Sequence, residues 1–260
     1  MVELEHARVL LASLGLETAA ALLDAQMERS QREQHTYSQF LNDLLTTEQQ
    51  ERDRKSEEMR LRLAHLPHRK GLDEFDFSFQ PSIDKRQIDE LGTLSFAARC
   101  ENLIFLGPPG VGKTHLAVGL AMKALKAGLT VYYTSLVRLI EDLKRSMEQG
   151  RLDKRWRVYL RPAILIIDEV GYLQLNRQEA EWFFRLVSER YEHGSIILTS
   201  NKYFSDWGEL LSDTIVATAL LDRLLHHAHV INIRGQTYRL KDRLKTGVQT
   251  VPPADIPAVG

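Results

Sequence analysis

The sequence predicts an α/β domain with a parallel sheet around a phosphate-binding glycine loop, preceded by a small all-helical domain. Three observations predict it. A short apolar run, a glycine-rich loop and a helical pattern follow one another between Asn102 and Ala127, which is the order of the α/β class. A continuous aliphatic stretch, Ile164 to Ile167, ends in the carboxylates Asp168 and Glu169, as expected of a strand buried on both faces of a parallel sheet. From Leu4 to about Leu63 the chain almost lacks Gly and has no Pro.

In that first region Leu10, Leu14, Leu22, Phe40, Leu41, Leu44 and Leu45 recur at helical spacings, so residues 1–66 read as a helical domain. Its last part, Glu48 to Arg62, alternates both charge signs and reads as a solvated helix face. Pro67 ends it. Residues 67–83 form a linker in which Phe75, Phe77 and Phe79 alternate with polar residues, the pattern of an extended segment anchored on the next domain. Residues 84–246 make up the α/β domain. Asn102 to Leu106 is the first strand, and His115 to Ala127 is a helix stopped by Gly128. Thr130 to Thr134, Ile164 to Ile167, Ser195 to Thr199 and Val230 to Ile233 are further strands. The tail, 247–260, carries Pro252, Pro253 and Pro257 and reads as disordered.

Composition sets limits on function. Of 260 residues, 43% are apolar and 27% charged, the values of an ordinary globular chain. Glu3 and Glu5 stand where a secretory leader needs basic residues, and no apolar run approaches a spanning helix. The expectation is a cytoplasmic protein without membrane contact. A net charge of −1 excludes a uniformly basic nucleic-acid binder, so any DNA contact must be local. Cys100, the single cysteine, can form no internal disulfide or metal cluster and reads as a small buried hydrophobe.

The chemistry is concentrated in a few short segments. Gly107-Pro108-Pro109-Gly110-Val111-Gly112-Lys113-Thr114 fits the P-loop pattern and sits between strand and helix, the context that motif requires. Its glycines let backbone N–H groups turn toward phosphate oxygens, and the following helix adds its positive end. Lys113 would reach the β- and γ-phosphates. The Thr114 hydroxyl would take a magnesium position. Asp168, delivered to the C-terminal end of its strand, is the second metal-shell candidate, and Glu169 the residue that polarises an attacking water. Asn201, at the tip of Thr199-Ser200-Asn201, can bond the γ-phosphate or that water, or can simply cap a turn. Asn201-Lys202-Tyr203-Phe204 opens like a guanine-reading motif but has Phe in place of the carboxylate, which argues against GTP.

Arg223 lies in an otherwise apolar helical run. The residues alone leave two readings open: an arginine supplied to a neighbouring subunit's phosphates, or an Asp222–Arg223 surface pair. Between Arg138 and Arg161 cations exceed acids, with Arg138, Lys144, Arg145, Arg151, Lys154 and Arg155 prominent. This local excess is the candidate surface for a phosphate backbone, with a solvated helix face as the alternative. His226, His227 and His229 do not read as a metal cluster. Adjacent histidines do not face one site on a helix, and no carboxylate stands near them at ligand spacing. Trp156, Trp182 and Trp207 read as core or interface.

Taken together, Phe40 to Leu45, Gly107 to Ala117 (including His115), Ile166 to Tyr172, Thr199 to Asn201, and Leu221 to His227 followed by Tyr238-Arg239 closely resemble the IstB family. These are ATPase helpers of insertion-sequence transposition, related to DnaC helicase loaders and DnaA initiators. The resemblance runs from about residue 5 to residue 245. Val170 after the carboxylate pair is a conservative departure. The resemblance implies an AAA+ P-loop NTPase domain without a separate lid, ATP and Mg²⁺ as cofactors, and a homo-oligomer with ATP sites at subunit interfaces. It also implies binding of duplex DNA, an IstA-type transposase as partner, and Arg223 as an arginine finger. Extra helices after the second strand, facing DNA, are implied as well.

The expectation is therefore a transposition regulator that oligomerises on target DNA with ATP and recruits the transposase, hydrolysis driving disassembly. A replicative helicase loader would share every nucleotide-handling residue. A small-molecule kinase would need an acceptor pocket and would gain nothing from Glu169 activating water.

Overall fold

The computed structural model describes residues 2–238; Arg239 and the expected disordered tail lie outside them. The chain divides into two compact units, Met1–Arg62 and Leu63–Gly260.

In the first unit, α1 (Val2–Ser13), α2 (Glu17–Arg32) and α3 (Tyr37–Leu63) follow one another. Ala19, Leu23 and Leu44 form its small core, with Leu4, Ala7, Leu11 and Phe40 packed against it. Glu48 departs from the solvated face that charge alternation assigns it, being 4% exposed. Its carboxylate accepts the Thr18 and Ala19 N–H groups at 2.8 and 2.9 Å. The first turn of α2 has orphan donors that need such a partner. The Ala19 N–H and the Arg52 guanidinium hold the Glu48 carboxyl below the usual carboxylate range.

Near the start of the second unit, residues 67–83 are a run of tight turns rather than the extended segment expected. Phe77, Phe79, Gln80 and Ile83 each donate their N–H to a carbonyl two or three residues back. Leu72 is buried beneath the helix of the glycine loop, where a Cβ at Gly119 would stand 2.6 Å from its methyl. Two short helices follow, α4 (Lys85–Leu91), capped by Asp84, and α5 (Ser95–Ala98). Cys100, expected in the interior, is half-buried at a turn with φ 56°.

The alternation of strand and helix then proceeds. β1 (Asn102–Leu106), α6 (Lys113–Lys126) and β2 (Val131–Ser135) come first, then α7 (Leu136–Glu148) and α8 (Leu152–Leu160). β3 (Ile164–Val170), α9 (Arg177–Arg190), β4 (Ser195–Ser200), α10 (Trp207–Leu210), α11 (Thr214–Leu225) and β5 (Ala228–Asn232) complete the order. The sheet is parallel throughout, in the order β2-β3-β4-β1-β5. β1, β3 and β4 are buried along nearly their whole length, which is why they read as unbroken apolar runs. β1 and β3 are separated by β4, so the glycine loop after β1 and the carboxylates of β3 flank the β4 tip, where ligands gather in such sheets.

Trp156, Trp182 and Trp207 all pack in the main core with Phe183, Leu139 and Ile167. Arg190 is buried too, 2% exposed, and its guanidinium donates to the carbonyls of Tyr159, Leu160, Pro162 and Ser195. It satisfies the chain ends before β3 and at the start of β4, which would otherwise present carbonyls to an apolar interior. Burial lowers its pKa to about 10, leaving it charged at neutral pH.

Candidate functional site

The glycine loop leaves β1 at Gly107 and enters α6 at Lys113. Gly112 adopts φ 98°, a left-handed conformation that glycine takes without strain. A Cβ there would stand 2.5 Å from the Phe75 ring of the turn segment. The loop thus has neither steric room nor backbone freedom for another residue. Lys113 folds back over the loop, its Nζ donating to the Gly107 and Pro108 carbonyls at 2.7 and 2.8 Å.

Across the cleft, Asp168 is 2% exposed and gathers three hydroxyls. Thr114 Oγ1 lies 3.0 Å from each carboxylate oxygen, Tyr133 Oη donates to Oδ2 at 2.6 Å, and Thr199 Oγ1 donates to Oδ1. A buried carboxylate needs such partners. Burial, and then the charge of Asp168, push the Tyr133 phenol well above its ordinary pKa, so it stays protonated at neutral pH and donates to the carboxylate.

Glu169 follows with φ 61°, at a bulge where the β3–β4 register shifts between Ile167 and Val170. Bulges re-aim a side chain, and a non-glycine residue in this region is a strained backbone of the kind found at functional sites. Here the bulge leaves Glu169 exposed between two buried neighbours. Its N–H is held by Thr199 Oγ1 at 3.1 Å.

These groups line one cleft of about 570 Å³. Pro109, Gly110, Val111, Gly112, Lys113, Thr114 and His115 form one wall. Tyr133, Asp168, Glu169, Thr199 and Asn201 form the other, and Phe75 and Tyr238 close the side. Gly107 and Pro108 are not in the lining; their carbonyls hold Lys113 instead. The His115 ring contacts the Gly71 carbonyl at 2.9 Å and the edge of Phe75, so it fastens the turn segment to α6. Among the described residues Asn201 Oδ1 is buried without a hydrogen-bond partner. An acceptor held in the cleft suits a water; turning the amide over would offer a donor to a phosphate oxygen.

Arg223 does not line this cleft. Its guanidinium lies 4.6 Å over the Phe184 ring, and among the described residues it makes no ion pair with Asp222. The basic segment forms α7 and α8. Arg138, Arg145, Arg151 and Lys154 are exposed there. Lys144, also exposed, and Arg155, half-buried, are each engaged in an ion pair. Lys144 pairs with the buried Glu179, while Arg155 pairs with Asp142, donates to Tyr132 Oη at 2.9 Å and lies over Tyr159.

Sequence reasoning missed Tyr133 and Thr199 as functional residues. Thr199 opens the Thr199-Ser200-Asn201 segment it did flag, but hydroxyl-to-carboxylate pairing between β3 and β4 is visible only once those strands are neighbours. Tyr133 is one of two adjacent tyrosines in β2, and nothing in the alternation says which faces the cleft. Around the histidines the fold adds a carboxylate that sequence spacing does not supply. His226 and His227 stand with ring centroids 4.2 Å apart, and the fold brings Glu192 beside them. His229 points elsewhere, to Glu101 at 2.9 Å.

The family described as IstB-like ATP binding protein matches residues 9–246. An ATP-binding protein named for insertion sequence IS21 of Pseudomonas aeruginosa is 47% identical over 250 residues, covering 96% of this chain and 93% of the relative. One named for IS5376 of Geobacillus stearothermophilus is 46% identical over 230 residues, 88% of this chain and 92% of that one. Among solved structures, Aquifex aeolicus DnaA bound to AMPPCP shares the fold at TM-score 0.54 and 21% identity, over 72% of this chain and 58% of that one. The DnaC helicase loader does so at TM-score 0.50 and 24% identity, over 57% and 87%.

Proposed function

Because the chain belongs to the family of IstB-like ATP binding proteins, we propose that it hydrolyses ATP in the cleft between Lys113 and Asp168 and uses the nucleotide to assemble on duplex DNA. The observation that carries this reading is the pairing of Asp168, oriented by three hydroxyls, with Glu169, turned out by a bulge beside it. One carboxylate is held fixed and the next is free to accept a proton from water, a division of labour that hydrolysis requires and simple nucleotide storage does not.

Each residue's task follows from its position. The loop N–H groups and the α6 N-terminus bind phosphate oxygens, and Lys113 leaves the loop carbonyls to join them. Thr114 and Asp168 offer hard oxygen donors side by side, the set that Mg²⁺ takes. Bound there, Mg²⁺ would offset phosphate charge. Glu169 orients the attacking water with Asn201. Arg223, absent from its own cleft, serves a neighbouring protomer's γ-phosphate, so that hydrolysis depends on assembly.

The exposed cations of α7 and α8 supply the DNA contact. The relatives are named for insertion sequences, which supports a transposition helper with an IstA-type transposase as partner over a helicase loader, for which the likeness is one of fold. The test is ATP turnover with and without duplex DNA, with sedimentation in the same samples. DNA- and concentration-dependent hydrolysis supports the proposal; turnover independent of both, or turnover only with a small-molecule acceptor, refutes it.

A further inference from the structure

Outside the nucleotide cleft, the turn between α9 and β4 meets the end of α11. There Glu192, His226 and His227 each place a ligand atom within 4.8 Å of the others. Fixed backbones hold all three. The His226 N–H donates to the Asp222 carbonyl at 3.0 Å, and the His227 carbonyl accepts from Asn102, the first residue of β1, at 2.7 Å. Glu192 sits between two anchored neighbours, with the Tyr191 N–H on Val187 and the His193 N–H on Arg190. The donors are therefore brought together by rigid elements rather than by a loose surface.

The chemistry of the cluster narrows the ligand. Two imidazoles and one carboxylate suit a borderline-soft dication, whereas Mg²⁺ and Ca²⁺ prefer oxygen alone. His226 Nδ1 lies 2.6 Å from Tyr191 Oη. With the proton on Nδ1 donating to that oxygen, Nε2 keeps its lone pair, the outer hydrogen bond that metal-binding histidines make. The negative end of the α11 dipole also favours a cation at this place. All three side chains are exposed, so solvent can complete the coordination shell.

We propose that Glu192, His226 and His227 form a binding site for a divalent transition-metal ion of the zinc class. Its position gives it a consequence. His226 and Arg223 line the same cavity, of about 320 Å³, with Tyr191, Ala219 and Asp222. An ion there ties the last turn of α11 to the α9–β4 turn and so fixes the helix end that carries Arg223. That consequence rests on the proposed role of Arg223 in trans; the binding site itself does not.

The test uses the full chain without a histidine tag. Zn²⁺ is titrated by calorimetry and Co²⁺ by visible absorption, on the unaltered protein and on His227→Ala and Glu192→Gln. The expected result is one equivalent of either ion, with affinity at least about tenfold weaker in each variant and ADP binding retained as the check on folding. No uptake, or uptake equal in all three proteins, overturns the site; a surface histidine pair in mere ring contact would behave in that way. ATP turnover with and without Zn²⁺ is then compared. A change in the unaltered protein that His227→Ala abolishes supports the link to Arg223. Stoichiometric binding with unchanged turnover overturns that link and leaves the site standing.

Discussion

The hydroxyl of Tyr133, on the edge strand β2, lies 2.6 Å from Oδ2 of Asp168 on β3 and is too weak an acid to ionise at neutral pH. The relationship follows from register, since β2 and β3 pair Ser135 with Asp168. Replacing Tyr133 with Phe keeps the ring and deletes one donor to a buried carboxylate. Turnover should fall about tenfold, about 1.4 kcal/mol, while nucleotide affinity changes little. Steady-state hydrolysis alongside fluorescent-nucleotide binding checks this; an equal loss in both would make Tyr133 a packing residue.

Glu169→Gln keeps the side chain's size and removes its basicity. Turnover should drop at least about a hundredfold, with ATP binding intact and the DNA-bound assembly persisting. Lys113→Ala, by contrast, should lose nucleotide binding and with it ATP-dependent assembly. Normal turnover in the Gln variant would place the water-activating role elsewhere.

Arg223→Ala should lower turnover without weakening nucleotide binding, because its guanidinium stands outside its own cleft. Mixing it with the Lys113→Ala protein should restore part of the activity: intact cleft and intact finger then meet at one kind of interface. Absence of recovery across mixing ratios would count against action in trans.

On α7 and α8 the exposed and the engaged cations should separate. Replacing Arg145, Arg151 and Lys154 together with Ala should reduce the slope of log affinity for duplex DNA against log salt by about 3. Arg155→Ala should instead lower thermal stability, since it leaves Asp142 with the Tyr159 hydroxyl but no cation and removes the guanidinium packed against Tyr132 and Tyr159. Salt-dependent binding curves and melting curves on the same preparations tell these effects apart.

Stability of the N-terminal unit should depend on acid through Glu48. Its carboxyl is held below the ordinary value in the folded chain, so the stabilisation is full above the ordinary carboxylate pKa. It is lost as pH falls through the depressed one. Glu48→Gln should melt lower at neutral pH and lose that part of the acid dependence. Melting curves from pH 7 downward that kept the same shape in both proteins would contradict this.

The local pattern of residues determined the parts that depend on neighbours in sequence. The glycine loop between strand and helix, the aliphatic run ending in Asp168 and Glu169, and the gathering of cations between Arg138 and Arg161 are legible because each is one contiguous segment with one chemical demand. Only tertiary structure decided what rests on strand order, backbone curvature or chain crossings. The β3–β4 bulge turned Glu169 outward, and β2 beside β3 brought Tyr133 to Asp168. The meeting of α9 and α11 gave His226 and His227 a carboxylate that no spacing rule could supply. Folding also engaged Lys144 and Arg155 in pairs with Glu179 and Asp142, elements apart in sequence. Composition counts charges but cannot say which of them face each other.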